Sequence, residues 1–343
     1  MDADCIPALV QEVFYVKPLM RKGIFTISLD FELFWGVRDH RTLKTYGENI
    51  RNVHRVVPRL LQLFAEYEVH CTWAAVGFLF FQNKNELLSH LPHLRPSYVN
   101  AGYDPYSYLE NNELEPEYHF APGLVELIRK TPGQEIATHT FSHFYTLERH
   151  TTIEQFAHDL QAAINTANQK GITLSSIIFP RNQYSPEHIE VCRQAGIKVY
   201  RGNEQAGAYR PVSREQENIF RRALRLADGY FNITGHHCHP VPEQDEIINV
   251  PASRFLRPYH PALKILDGLK LKRIRSGLKF AAEQGWIYQL WWHPHNFGKY
   301  SDENFIFLES VLKFYRQLNR EGKIESQNLI EIYSKTRTNH DEF

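Results

Sequence analysis

Short apolar runs alternate with stretches of helical periodicity along this chain, and three of the runs end in titratable or metal-competent side chains. Phe25 to Phe31 releases Asp30 and Glu32. Glu135-Ile136-Ala137 leads into His139-Thr140-Phe141-Ser142-His143, and Trp286 to Trp292 leads into His293. Apolar strands joined by helices predict a parallel α/β barrel or sheet, in which reactive groups gather at the carboxyl ends of the strands.

The intervening segments fit that frame. Glu48 to Tyr67 carries Val53, Val56, Val57, Leu60, Leu61 and Phe64 at helical spacing, and Val69 to Val76 follows as a second strand. Pro122 to Lys130 predicts a helix, and so does the segment from Thr152, whose capping box with Gln155 opens it, to Lys170, where Gly171 stops it. Ser175 to Phe179 is the next strand. Ser185-Pro186 starts a helix that Gly196 ends, before a strand over Ile197 to Tyr200. Beyond it the pattern weakens, although Ile247 to Val250 reads as one more strand, and helices over Leu263 to Gln284 and Asn304 to Asn319 flank the Trp286 strand. We expect a single barrel domain over 21–335, an N-terminal extension over 1–20 and a tail over 336–343. Two insertions are expected, near 82–120, rich in tyrosine and proline, and near 204–259.

Charge narrows the partners. The chain has 39 basic and 39 acidic residues, so nothing marks it for nucleic acid or an anionic membrane. A hydrophobic fraction of 43% excludes disorder, and no run reaches the roughly 20 apolar residues of a membrane span. The four cysteines, Cys5, Cys71, Cys192 and Cys238, have no C-x-x-C spacing and read as reduced thiols. With no secretory signal in the first 20 residues, a cytoplasmic protein acting on a neutral small molecule or glycan is expected.

An H-x-x-x-H pair arises easily by chance among 18 histidines, and Asp30 and Glu32 alone would suit a solvated strand end. Their joint position at strand ends points instead to one cavity. Two imidazoles and a carboxylate leave a divalent metal an open position, as catalysis requires. Either Glu32 or Asp30 supplies that carboxylate. Residues i and i+2 of a strand share a face, so the other could act as base, with His293 as general acid. Gly235-His236-His237-Cys238-His239 is read as a polar loop, since four consecutive residues cannot all reach one ion. His295, at the same mouth, is read as a substrate contact or a loop hydrogen bond rather than a metal ligand.

Ser28-Leu29-Asp30-Phe31-Glu32, His139-Thr140-Phe141-Ser142-His143, Phe179-Pro180-Arg181-Asn182 and Leu290-Trp291-Trp292-His293 resemble, in order and rough spacing, the motifs of polysaccharide deacetylases with a NodB homology domain. The resemblance covers about 24–300. It implies a distorted (β/α) barrel of about seven strands and zinc-dependent removal of N-acetyl or O-acetyl groups from sugars. It assigns His139, His143 and Glu32 to the metal, Asp30 to the base, His293 to the acid, and Arg181 to positioning the base. Trp35, Trp291 and Trp292 are candidate sugar platforms, although strand alternation keeps Trp291 and Trp292 from both facing the cavity, and Asn182 and Tyr184 are further substrate candidates. The first motif departs from the family's adjacent aspartates by its D-x-E form, the third places proline before arginine, and the fourth has only Glu204 as a match. Two other functions fit the same residues less well: opening of an amide in a non-sugar metabolite, and carbohydrate binding without catalysis.

Overall fold

The structure, a computed structural model, describes residues 21–338, so the extension over 1–20, Cys5 and the last five residues of the tail lie outside the described residues. The first strand, β1 (Gly23–Phe31), is buried at all nine positions. An apolar run of that kind suits the centre of a parallel sheet covered on both faces. It pairs in parallel with β2 (Cys71–Ala75) on one side and β8 (Ile287–Trp292) on the other, with Ile27 level with Cys71 and with Leu290. From β2 the parallel path runs through β3 (Gln134–Thr138), β4 (Ser176–Ile177) and β5 (Val199–Tyr200) to β6 (Ile248–Asn249). From β8 it runs to β7 (Arg254–Phe255), and β9 (Ile324–Ser326) joins the start of β1. This is the distorted (β/α) barrel expected, with more and shorter strands than the sequence indicated.

The segment 248–256 closes the ring. Ile248, Val250 and Ala252 donate backbone N–H groups to Lys198, Tyr200 and Gly202, and within one further residue Ser253 and then Leu256 donate to Gln289 and Trp291 on β8. One irregular stretch therefore bridges both sides of the gap, which is why its periodicity was weak.

Helices pack outside. The Val53–Tyr67 helix buries Val53, Val56, Val57, Leu60, Leu61 and Phe64, the apolar stripe of the sequence. It is separate from a helix over Leu43–Arg51, where one continuous helix was expected, and Asn52 joins the two. The Ile153–Gln169 helix opens with the capping box, Gln155 N–H donating to Thr152 Oγ1 at 3.1 Å and Thr152 N–H to Gln155 Oε1 at 3.0 Å. The first insertion forms short helices over Lys84–Leu88, Pro105–Asn111 and Pro116–His119. A last helix, Leu329–Thr338, plugs the amino end: Leu329 and Ile332 pack on Ile24, Val199, Ile248 and Ile287, and the Leu329 N–H donates to Thr72 Oγ1 at 2.9 Å. The carboxyl end is left for chemistry.

Candidate metal centre

Glu32 stands just past β1, where the chain turns sharply. Leu33 has a φ of +46°, and a 3-10 turn over Leu33–Gly36 brings Gly36 back onto the Glu32 side chain. A Cβ at Gly36 would lie 1.9 Å from Glu32 Cδ, so only glycine leaves the carboxylate its place. His139 follows β3 directly. Thr140 and His143 have φ of +66° and +61°, so the loop folds back and presents both imidazoles to the same point. Asp159, buried in its helix, holds that loop by accepting the N–H of Phe141 at 2.7 Å and of Ser142 at 3.2 Å, and the Ser142 hydroxyl. Burial pushes its carboxyl up to about 6, against the pull of these hydrogen bonds.

The donor set suits a cation. His139 Nδ1 donates to the Ile178 carbonyl at 2.8 Å, which leaves the neutral ring's Nε2 as a lone pair, 3.4 Å from Glu32 Oε2. His143 Nε2 is 3.1 Å from the same oxygen. Burial, ahead of the counter-pull of Glu32, brings His143 down to about 4, so at neutral pH it is an uncharged imidazole. The Glu32 carboxyl would be raised by burial, but His293, His139, His143 and His295 together hold it well below its usual range. One ligand atom each from Glu32, His139 and His143 lies within 4.8 Å of the others, a span a single ion can satisfy.

Asp30 is held differently. Arg201 donates to both of its oxygens, at 2.7 and 2.9 Å, and also to Ser28 Oγ and Asn182 Oδ1. Burial would raise the Asp30 carboxyl, and the guanidinium with His139 and His293 lowers it below its ordinary value. His293 Nε2 lies 3.7 Å from Asp30 Oδ2 and 3.7 Å from Glu32 Oε1, and the ring is partly open to solvent. His295 is also drawn in, its Nε2 3.0 Å from Glu32 Oε1 and its Nδ1 2.9 Å from the Tyr46 hydroxyl.

Several expectations need correction. Arg181 does not position Asp30: it pairs with Asp39 and Glu148 and lies 3.7 Å over the Tyr145 ring. Arg201, the first residue after β5, takes that place. Trp35 is no platform, being fully buried with Nε1 donating to the His119 carbonyl at 2.7 Å. Trp292 is equally buried, stacked on Phe297. Trp291 is the one that faces the site, beneath Arg201 at 4.4 Å and beside His293. Asn182 is linked to Asp30 through Arg201, whereas the Tyr184 ring lies tilted against Phe179 and edge-on to Tyr200. Glu204 is buried, its carboxyl raised by that burial and offset by Arg254, Trp291 and Arg201. The His236 to His239 loop contributes to neither of the potential ligand groups among the described residues. His237 sits 3.9 Å from Asp228.

Comparison with solved structures agrees with the barrel. A candidate polysaccharide deacetylase from Mycobacterium smegmatis superposes with a TM-score of 0.59 at 12% identity, over 93% of this chain and 92% of its own. A candidate polysaccharide deacetylase from Pseudomonas aeruginosa gives 0.50 at 11% identity, over 91% and 89%. A 4-alpha-glucanotransferase from Thermococcus litoralis gives 0.50 at 14%, over 92% of this chain but 41% of that one. No family model matches the sequence, and no curated protein matches it. The chain has the NodB-type barrel that its motifs resemble.

Proposed function

We propose that this protein is a divalent-metal hydrolase that removes acetyl groups, N-acetyl above all, from a sugar, oligosaccharide or polysaccharide precursor. The observation that carries the reading is the separation of two buried carboxylates, Glu32 among imidazoles and Asp30 on a guanidinium. Glu32, His139 and His143 would hold the ion, with zinc the expected one. When bound, such an ion supplies Lewis acidity toward a carbonyl oxygen and makes water a better nucleophile at neutral pH. Asp30, kept ionised and oriented by Arg201, takes the proton of the attacking water. His293, partly solvent-open, gives a proton to the leaving nitrogen, a step worth about 100- to 10,000-fold in general acid catalysis. Trp291 offers an apolar wall beside His293. The described cysteines are unpaired and buried, which supports a reducing, cytoplasmic setting, and no described helix is long and apolar enough to cross a membrane.

The test couples metal content to turnover of an N-acetylated sugar. His139→Ala and His143→Ala are expected to lose the ion and the activity, while changing His236, His237 and His239 together to Ala leaves the ion bound. His293→Ala is expected to keep the ion, to lose amide turnover by about 100-fold or more, and to hydrolyse an activated aryl acetate with a much smaller loss, because that leaving group needs no proton. Equal losses on both substrates would remove His293 from the mechanism.

A further inference from the structure

Glu32 stands between two pairs of imidazoles. Its Oε2 faces His139 and His143, and its Oε1 faces His295 at 3.0 Å and His293 at 3.7 Å. Glu32, His293 and His295 form a second trio whose ligand atoms lie within 4.8 Å of one another, distinct from the first and sharing only the carboxylate.

His293 shows what the space between these groups favours. Asn296 Oδ1 accepts the His293 backbone N–H at 3.3 Å, which fixes the amide's orientation, and the same oxygen is 3.3 Å from His293 Nδ1. An amide oxygen only accepts, so Nδ1 carries a hydrogen and the neutral ring's Nε2 carries a lone pair. That lone pair faces Glu32 Oε1 and Asp30 Oδ2. Three lone pairs turned on one another in a nearly buried site are stabilised by a cation among them. One such cation is the proton of the imidazolium, the form that donates to the leaving group. The other is a divalent ion: without it the Asn296 amide nitrogen, 3.4 Å from His295 Nδ1, leaves the hydrogen of buried His295 on Nε2, donated to Glu32, and binding an ion there moves that hydrogen to Nδ1, where the Tyr46 oxygen accepts it and Nε2 becomes the second nitrogen ligand.

We infer that Glu32, His293 and His295 form a second, inhibitory divalent-cation site, in which the ion occupies the His293 nitrogen that must otherwise carry the transferable proton. The inference rests on the reading that the first trio holds the resident ion and that His293 is the acid. Charge ranks the two sites. Asp30, Glu32, Asp39 and Glu148 against Arg181 and Arg201 give a formal charge of −2 around the mouth, which one divalent ion neutralises. A second ion meets no such excess and binds more weakly.

The experiment titrates zinc into the full chain carrying one ion, following binding by calorimetry and deacetylation of an N-acetylated sugar over the same concentrations. The expected result is a second, weaker binding event whose midpoint coincides with loss of activity, and two anomalous-scattering peaks sharing Glu32 in a zinc-soaked crystal. His295→Gln retains a hydrogen-bonding amide beside Tyr46 and Glu32 but no imidazole. It is expected to keep the tight ion and to weaken the second by more than the roughly 10- to 100-fold that loss of an outer-shell partner costs, with inhibition moving to higher zinc in step. One ion only in the wild type, lost in His139→Ala and kept in His295→Gln, would overturn the second site and leave the proposed function standing. A lone ion lost in His295→Gln but kept in His139→Ala would overturn both. Zinc inhibition unchanged in His295→Gln would also sink the inference.

Discussion

Arg201 sets the state of Asp30. A carboxylate buried as deeply as Asp30 would take up a proton without a partner, and two short hydrogen bonds from one guanidinium keep it charged and fixed in orientation. Removing one side of a buried pair leaves an uncompensated charge, typically at a cost of about 3–5 kcal/mol. Arg201→Met is therefore expected to lower stability in denaturant unfolding by roughly that amount, and the double variant with Asp30→Asn to recover part of it. No recovery in the double variant would mean that the pair is not coupled. Asp30→Asn and Glu32→Gln should also separate: the first keeps the ion and loses turnover, the second lowers metal occupancy itself. The reverse pattern, read by metal analysis, would exchange the two roles. Arg181, which the motif resemblance favoured, is spent on Asp39 and Glu148. Arg201 obeyed the strand-end rule that revealed the other groups, but β5 is two residues long and its end drew attention to Glu204 instead.

At the scale of elements, the ends of β1, β3 and β8 were legible because each is a sustained apolar run broken by one abrupt polar group. What periodicity did not give was phase. Side chains on a strand alternate, so once His293 faces the cavity, Trp291 faces it too and Trp292 turns to the core; parity from His293 would have chosen the right tryptophan. In the closing stretch β6 falls within the strand expected over Ile247 to Val250, whereas β7 and β9 have no sequence signal because they pair over only two and three residues. The turn after β1 carries a prediction of its own. Gly36 is pressed against Glu32, so Gly36→Ala must push the carboxylate from between the imidazoles, while the turn itself has an ordinary negative φ at that position. The expected outcome is a folded protein with a far-ultraviolet dichroism spectrum like the wild type and reduced metal occupancy. Full occupancy in Gly36→Ala would show that Glu32 is not a necessary ligand.

For the whole molecule, the barrel buries histidines as neutral rings, and this makes its stability dependent on pH. Burial brings His119, His143, His188 and His237 each down to about 4, against a usual value near 6.5. A group whose value is depressed in the folded state contributes stability that is present above the unfolded value and lost as pH falls through the folded one, because between the two the unfolded chain binds the proton and the native chain does not. Each ring thus adds a slope of up to about 1.4 kcal/mol per pH unit between roughly 6.5 and 4. Asp159, raised to about 6, works in the opposite direction over part of that window: its contribution is lost as pH rises through 6. Burial also raises the carboxyls of Glu135 and Glu204, but it lowers His236, His239 and His295 as well, so the imidazoles outnumber the opposing carboxyls and unfolding free energy is expected to fall on acidification from pH 7 to pH 5. His119 isolates the effect, since it is fully buried and belongs to neither potential ligand group among the described residues, with Nδ1 donating to the Glu115 carbonyl at 2.9 Å and Nε2 3.1 Å from the Tyr108 hydroxyl. His119→Gln is expected to be less stable at pH 7 but to lose less on going to pH 5, its slope flatter than the wild type by about 1 kcal/mol per unit. Parallel stability curves for the two proteins between pH 7 and pH 5 would show that the buried ring at 119 is not a source of the acid sensitivity.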